Sequence, residues 1–226
     1  MIFIIIIDPG HGGIDFGKAS NIYFNEKDKN LQISHYLYDR MLSLGIKAYL
    51  TRTTDELLLP DKRIQIINSF KDCNILISTH LGYFTSPTLL YSKRCDIKLI
   101  NSLEKELNFK NNQIKLNSYN DDFYYILREA NLKNSLIIFY GNTSAINDLN
   151  NLLEDWINLS ERIIKGLCNY LSISYQEPKE KLYIIKRKDT LESISKDFNI
   201  SVNEIMKINN LNSKDIFPYG ILKLHD

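Results

Sequence analysis

Residues 2–17 read Ile-Phe-Ile-Ile-Ile-Ile-Asp-Pro-Gly-His-Gly-Gly-Ile-Asp-Phe-Gly. The apolar run at 2–7 is β-branched and aromatic, too short for a globular helix, and stopped by Asp8-Pro9-Gly10. It predicts a strand buried on both faces, in the middle of a parallel sheet. Gly10, Gly12 and Gly13 then surround His11, where they let the backbone turn sharply and be approached closely. Ligands of open α/β sheets sit outside the carboxyl ends of strands, which is where His11 falls. A phosphate cradle is not indicated, because neither Gly-Lys-Ser/Thr nor G-x-G-x-x-G occurs here.

Outward from this stretch the chain alternates. Asn25-Glu26-Lys27-Asp28 leads into a helical pattern through Leu31, Ser34, Leu37, Tyr38, Met41 and Leu42, stopped by Gly45. Residues 46–50 read as a strand, and 51–55 as a polar loop at its end. Residues 61–70 form an amphipathic helical pattern, and 74–79 a third strand with His80 directly after it. Strand, helix, strand, helix, strand implies βαβ crossovers and a mainly parallel sheet flanked by helices. His11 and His80 are therefore expected on one edge of that sheet.

The middle of the chain is less regular. Residues 96–107 look helical, 108–122 polar and loop-like, and 123–130 like a short helix. Residues 135–140 read as another buried strand. Residues 149–171 read as a long helix, with Leu152, Trp156, Leu159, Ile163, Leu167 and Leu171 on its apolar stripe. The polar stretch 173–181 is expected to link a first unit, 1–172, to a small second one, 182–226. In that unit Thr190 and Ser201 read as helix caps, and Ser201 with Glu204 fits a capping box.

Composition bounds the function classes. The 226 residues are 44% hydrophobic and 24% charged with a net charge of +1, so no nucleic-acid partner is expected. Three cysteines without a C-x-x-C spacing read as free thiols. No stretch approaches the roughly 20 apolar residues of a membrane span. The run at 2–7 lacks the basic flank and length of a signal peptide.

Four histidines are present. His35 falls mid-helix and reads as structural; His225, next to the C-terminus, reads as solvated. A catalytic zinc commonly takes three protein ligands, often two histidines and a carboxylate. Glu26, in a loop entering the first helix, lies near the edge that carries His11 and His80. On spacing alone it reads first as a charge favourable to the helix dipole.

The motifs go further than the spacing. Ile-Ile-Asp-Pro-Gly-His-Gly-Gly-x-Asp-x-Gly at 6–17 resembles the signature of the zinc-dependent N-acetylmuramoyl-L-alanine amidases of bacterial cell walls. Glu26-Lys27-Asp28-x-Asn30-Leu31-x-Ile33-Ser34, Leu50-Thr51-Arg52-x-x-Asp55 and Ile77-Ser78-Thr79-His80 resemble three further motifs of that family, in order. The resemblance covers roughly residues 2–171. It implies that His11, Glu26 and His80 hold Zn2+, and that the reaction is hydrolysis of the amide between N-acetylmuramic acid and L-alanine. It also implies an open groove for a bulky polymer. Arg52, Asp55 and Arg63 match family positions and are read as structural ion pairs.

Two departures stand out. The family's Ala-Asn after the last histidine is Leu81-Gly82. The family's strand motif Val-Glu-x-Gly-Phe, whose glutamate is the general base, reads Leu136-Ile137-Ile138-Phe139-Tyr140-Gly141-Asn142. Aligned on Arg128, the glutamate's place falls on Ile138; aligned on Gly141, it falls on Phe139. Glu129, Asp148 and Glu154 are near in sequence but not at the strand end, so no replacement base is named.

Residues 183–209 resemble a LysM module, from Tyr183-Ile184-Ile185-Lys186 through Asp189-Thr190-Leu191 to Asn209, with Lys188 where glycine is usual. That likeness implies a βααβ fold and a glycan ligand containing N-acetylglucosamine. Two functions follow as expectations: a monomeric wall amidase carried to peptidoglycan by its LysM unit, or a zinc-containing peptidoglycan-binding protein that cuts weakly or not at all. Either acts at the bacterial cell wall, and the absence of a signal peptide leaves the route there open.

Overall fold

In the computed structural model, which describes residues 3–21, 24–82, 84, 87–107, 114–116, 118–143, 146–186, 188–217 and 220–224, the isoleucine run becomes strand β1, Ile4–Pro9. After it come β2 (Ala19–Asn21), β3 (Phe24–Asn25), helix α1 (Glu26–Ser43), β4 (Lys47–Leu50), α2 (Pro60–Ser69) and β5 (Ile75–His80). Then follow β6 (Thr88–Tyr91), α3 (Ile97–Leu107), α4 (Tyr125–Glu129), β7 (Asn134–Phe139) and α5 (Ile146–Leu171). β1 pairs in parallel with β4 on one side and β5 on the other, and the five-stranded order is β4-β1-β5-β7-β6. Being interior explains its composition. Ile5 and Ile7 join Ile33, Leu37 and Met41 of α1 in the core that α3 and α5 also cover. Ile6 points the other way, onto Ile67 of α2 with Leu76 and Leu132. All three isoleucines are fully buried, each contributing about 1.5–3 kcal/mol relative to exposure.

The sheet is mainly parallel with helices on both faces, as expected, and β6 departs from the pattern. It runs antiparallel to β7 and closes one edge. Four residues are too few to show a period, and its partner lies far downstream, so nothing local announces it. The short β2–β3 pair was likewise not foreseen. β1 extends through Pro9 because Asp8 and Pro9 pair with Ser78 and Thr79. His80 is the last residue of β5 rather than the first of a loop. Ile2, residues 108–113 and 117 of the expected polar loop, and His225 fall outside the described residues.

The C-terminal unit pairs β8 (Lys181–Ile184) with β9 (Ile221–Leu224), antiparallel, around α6 (Leu191–Phe198) and α7 (Val202–Ile208). Leu191, Ile194, Ile205, Leu222 and Leu224 form its own core. Thr190 caps α6 in a reciprocal box with Ser193. At Ser201, where the box was expected, the hydroxyl accepts from Glu204 N at 3.2 Å and serves as a plain cap. The stretch read as linker begins fastened to the first unit: Ile173 and Tyr175 pack against its core. Among the described residues no helix is long and apolar enough to cross a membrane. Cys73, Cys95 and Cys168 are free.

Candidate metal centre

The parallel topology brings His11, Glu26 and His80 to one point at the carboxyl edge of the sheet. One ligand atom from each lies within 4.8 Å of the others. His11 follows β1 with a left-handed backbone, φ 61°. Gly10 before it makes room: a Cβ there would lie 2.3 Å from His80 Cε1. Gly17, at φ 63°, closes the loop, and a Cβ on it would lie 2.7 Å from His11 Cδ2 and 2.8 Å from Glu26 Oε2. The two imidazoles meet edge to face, with centroids 5.1 Å apart.

Glu26 is not in a loop, as expected, but opens α1. Its side chain is fully buried, and two backbone amides hold it: Leu81 N donates to Oε1 at 2.9 Å and Lys18 N to Oε2 at 2.8 Å. Oε1 lies 3.3 Å from His11 Nε2 and 3.4 Å from His80 Nδ1. Burial would raise the Glu26 carboxyl, but the His11 and His80 imidazoles beside it outweigh that and hold it below the usual carboxylate range. For His11, burial is likewise outweighed, and Glu26 and Asp15 raise its pKa. His11 Nε2 is buried without a well-aligned hydrogen bond. An unsatisfied imidazole nitrogen, a second imidazole and a buried carboxylate converging on one point fit a divalent cation.

Beneath the triad, Asp8 accepts from Thr51 Oγ1 at 2.6 Å, Ser78 Oγ at 2.8 Å and Arg63 Nη1 at 2.5 Å. Arg63 continues to the carbonyls of Pro9 and His11. Asp55 pairs with Lys27 at 2.6 Å and accepts from Gly13 N at 2.8 Å. Arg52 corrects the expectation of an ion pair: its guanidinium donates to the carbonyls of Pro9, Gly10, Lys27 and Thr54. The loop bearing His11 is thus held through its backbone by two arginines. Asp8 and Asp15 were not singled out in the sequence, although both stand in the signature at 6–17. His35 is structural, with Nε2 3.0 Å from Thr53 O.

The β5–β7 register sets His80 against Phe139 and Thr79 against Ile138. Facing residues of a parallel pair point to the same side, so Phe139 shares the face of His80, its ring centroid 5.5 Å away. Ile138 points into the opposite core. Phe84 packs edge-on against Phe139 at 4.9 Å. A cleft of about 530 Å³ opens beside the triad, lined by His11, Asp15, His80, Lys115, Tyr124 and Phe139 among others. Glu129 pairs with Arg128 on α4, Glu154 belongs to α5, and the side chain of Asp148 is outside the described residues. Leu81 turns into the core.

Residues 5–169 match the family model for N-acetylmuramoyl-L-alanine amidase, and residues 183–223 that for the LysM domain. The chain is 32% identical over 84 residues to the N-acetylmuramoyl-L-alanine amidase AmiA of Escherichia coli, a stretch that is 37% of this chain and 29% of that protein. It therefore spans less than a third of that relative's length. Its fold is similar to the catalytic domain of CwlV, an N-acetylmuramoyl-L-alanine amidase from Bacillus (Paenibacillus) polymyxa var. colistinus. The TM-score is 0.65 at 20% identity, over 76% of this chain and all of that one. An N-acetylmuramoyl-L-alanine amidase from Clostridium difficile 630 superposes with a TM-score of 0.62 at 23% identity, over 76% of this chain and 97% of that one. The chain belongs to the N-acetylmuramoyl-L-alanine amidase family and carries a LysM domain at its C-terminal end.

Proposed function

We propose that this protein is a zinc-dependent peptidoglycan hydrolase acting at the bacterial cell wall as a monomer. It cleaves the amide between N-acetylmuramic acid and L-alanine of the stem peptide, while residues 182–226 hold wall glycan. The convergence of His11, Glu26 and His80 carries this reading. These three residues would hold Zn2+; when bound, the ion supplies Lewis acidity to a carbonyl oxygen and to water. Glu26 is held in place by the amides of Leu81 and Lys18, and Arg52 and Arg63 fix the loop that presents His11. The cleft beside them, with its aromatic wall, receives the stem peptide.

A second reading draws on Phe139. We assign it the place of the family's general base, because it shares the face of His80, whereas Ile138 lies in the core. A positioned base contributes about 10²–10⁴-fold to rate. Without one the protein turns over slowly and serves mainly to bind wall, as a zinc-containing peptidoglycan-binding protein.

Elemental analysis of the purified full chain tests the metal reading. Wild type is expected to carry one zinc, and the His11→Ala/His80→Ala double variant none. Full zinc retention in the double variant would overturn the assignment.

A further inference from the structure

We propose that Asp15 is the positioning residue of His11, holding its ring in the tautomer that carries the proton on Nδ1 and turns Nε2 toward Glu26 as a bare lone pair. The consequence for metal affinity rests on the metal reading above; the tautomer itself does not.

Asp15 Oδ2 lies 2.9 Å from His11 Nδ1. An ionised carboxylate only accepts, so Nδ1 is the donor. In the neutral ring the other nitrogen then has no hydrogen. That nitrogen, Nε2, lies 3.3 Å from Glu26 Oε1 without a well-aligned hydrogen bond. Two acceptors held face to face make a site for a cation.

Asp15 is itself fixed. Its Oδ1 accepts from Gly17 N at 3.1 Å. Its backbone exchanges both hydrogen bonds with Gly12, at 2.9 and 3.1 Å. The turn from Gly12 to Asp15 therefore brings the carboxylate back onto the ring it follows by four residues. The side chain is half-exposed, so its removal leaves no buried cavity. Partners of this kind set ring orientation and ligand basicity, and their loss costs about 10–100-fold in metal affinity.

The test uses the full chain, with Asp15→Ala and Asp15→Asn. Long-range ¹H–¹⁵N correlation spectra of the metal-free proteins, at a pH above the ring's titration, report which nitrogen of His11 is protonated; His11→Ala assigns the signals. Wild type is expected to show Nδ1–H, and Asp15→Ala a shift toward Nε2–H. Asp15→Asn, which keeps an acceptor oxygen, is expected to retain Nδ1–H. Zinc affinity by chelator competition should fall about 10–100-fold in Asp15→Ala and less in Asp15→Asn. An Nε2–H tautomer in wild type, or a tautomer and affinity unchanged in Asp15→Ala, overturns the proposal. If wild type takes up no zinc, the metal reading fails, and the spectra still decide whether Asp15 holds the ring.

Discussion

Asp8 shows how much of the site is built from buried charge. Burial raises its pKa, but Arg63 and the hydrogen bonds from Thr51, Arg63 and Ser78 outweigh that and leave it lowered. A carboxylate lowered on folding binds fewer protons in the native state than in the unfolded one. Its stabilisation is therefore present above the unfolded pKa, about 3.9, and is lost as pH falls through the lower folded value. Urea melts from pH 6 down to pH 2.5 should show wild type losing stability below about pH 4. Asp8→Asn should be less stable at pH 6 by about 3–5 kcal/mol, since Arg63 keeps its charge without its partner. Its acid slope should also be shallower, the remainder belonging to other lowered carboxylates, Glu26 among them. An unchanged slope would show that Asp8 does not carry this charge. At this scale the two histidines were legible because each stands at a strand end with glycine or a polar turn beside it. Asp15 was not, because only the return of the loop puts its carboxylate on His11. Arg52 was misread for a related reason: an arginine near aspartates suggests an ion pair, and nothing local says that backbone carbonyls will surround it.

At the scale of elements, the crossover order follows from periodicity and the starts of α6 and α7 from their Thr190 and Ser201 caps, whereas β6 and the hold on residues 173–176 depend on distant partners. Glu161 on α5 gathers four donors: Tyr36 Oη at 2.6 Å, Arg40 Nε at 2.6 Å, Arg40 Nη2 at 2.9 Å and Tyr175 Oη at 2.8 Å. Arg40 Nη2 also donates to Gln176 O at 2.7 Å. We infer that the first unit ends after residue 176 rather than 172. Glu161→Ala should destabilise the full chain by about 3–5 kcal/mol, because Arg40 is left largely buried and unpaired. Tyr175→Phe removes one hydrogen bond to a charged group and should cost about 1.5–3 kcal/mol. Chemical denaturation reads both. A silent Tyr175→Phe would mean that the segment is not fastened there.

At the scale of the whole molecule, the family resemblance and the alternation of strands and helices made the architecture readable from the chain. The meeting of the two units was not. Leu182, Ile184 and Ile221 lie in the two strands of the small unit, yet they pack on the larger core with α5, and pattern alone cannot say which neighbour a strand's second face will meet. The strand β7 raised the opposite problem. Its apolar character was plain, but the sequence leaves two alignments open; the register sets Phe139 beside His80, and our choice of Phe139 rests on that. The central claim is therefore a zinc amidase framework in which a phenylalanine stands where a base would assist. A glutamate there would enter an apolar wall, and burial would raise its pKa by as much as several units, so activity is best followed from pH 6 to 9. The most direct measurement is release of new L-alanine amino groups from purified wall by the full chain, wild type and Phe139→Glu, with and without chelator. The account predicts slow, chelator-sensitive release by wild type and a gain of up to about 10²–10⁴-fold in Phe139→Glu. Wild-type turnover at about 1–10³ s⁻¹, with no gain from the glutamate, would contradict it.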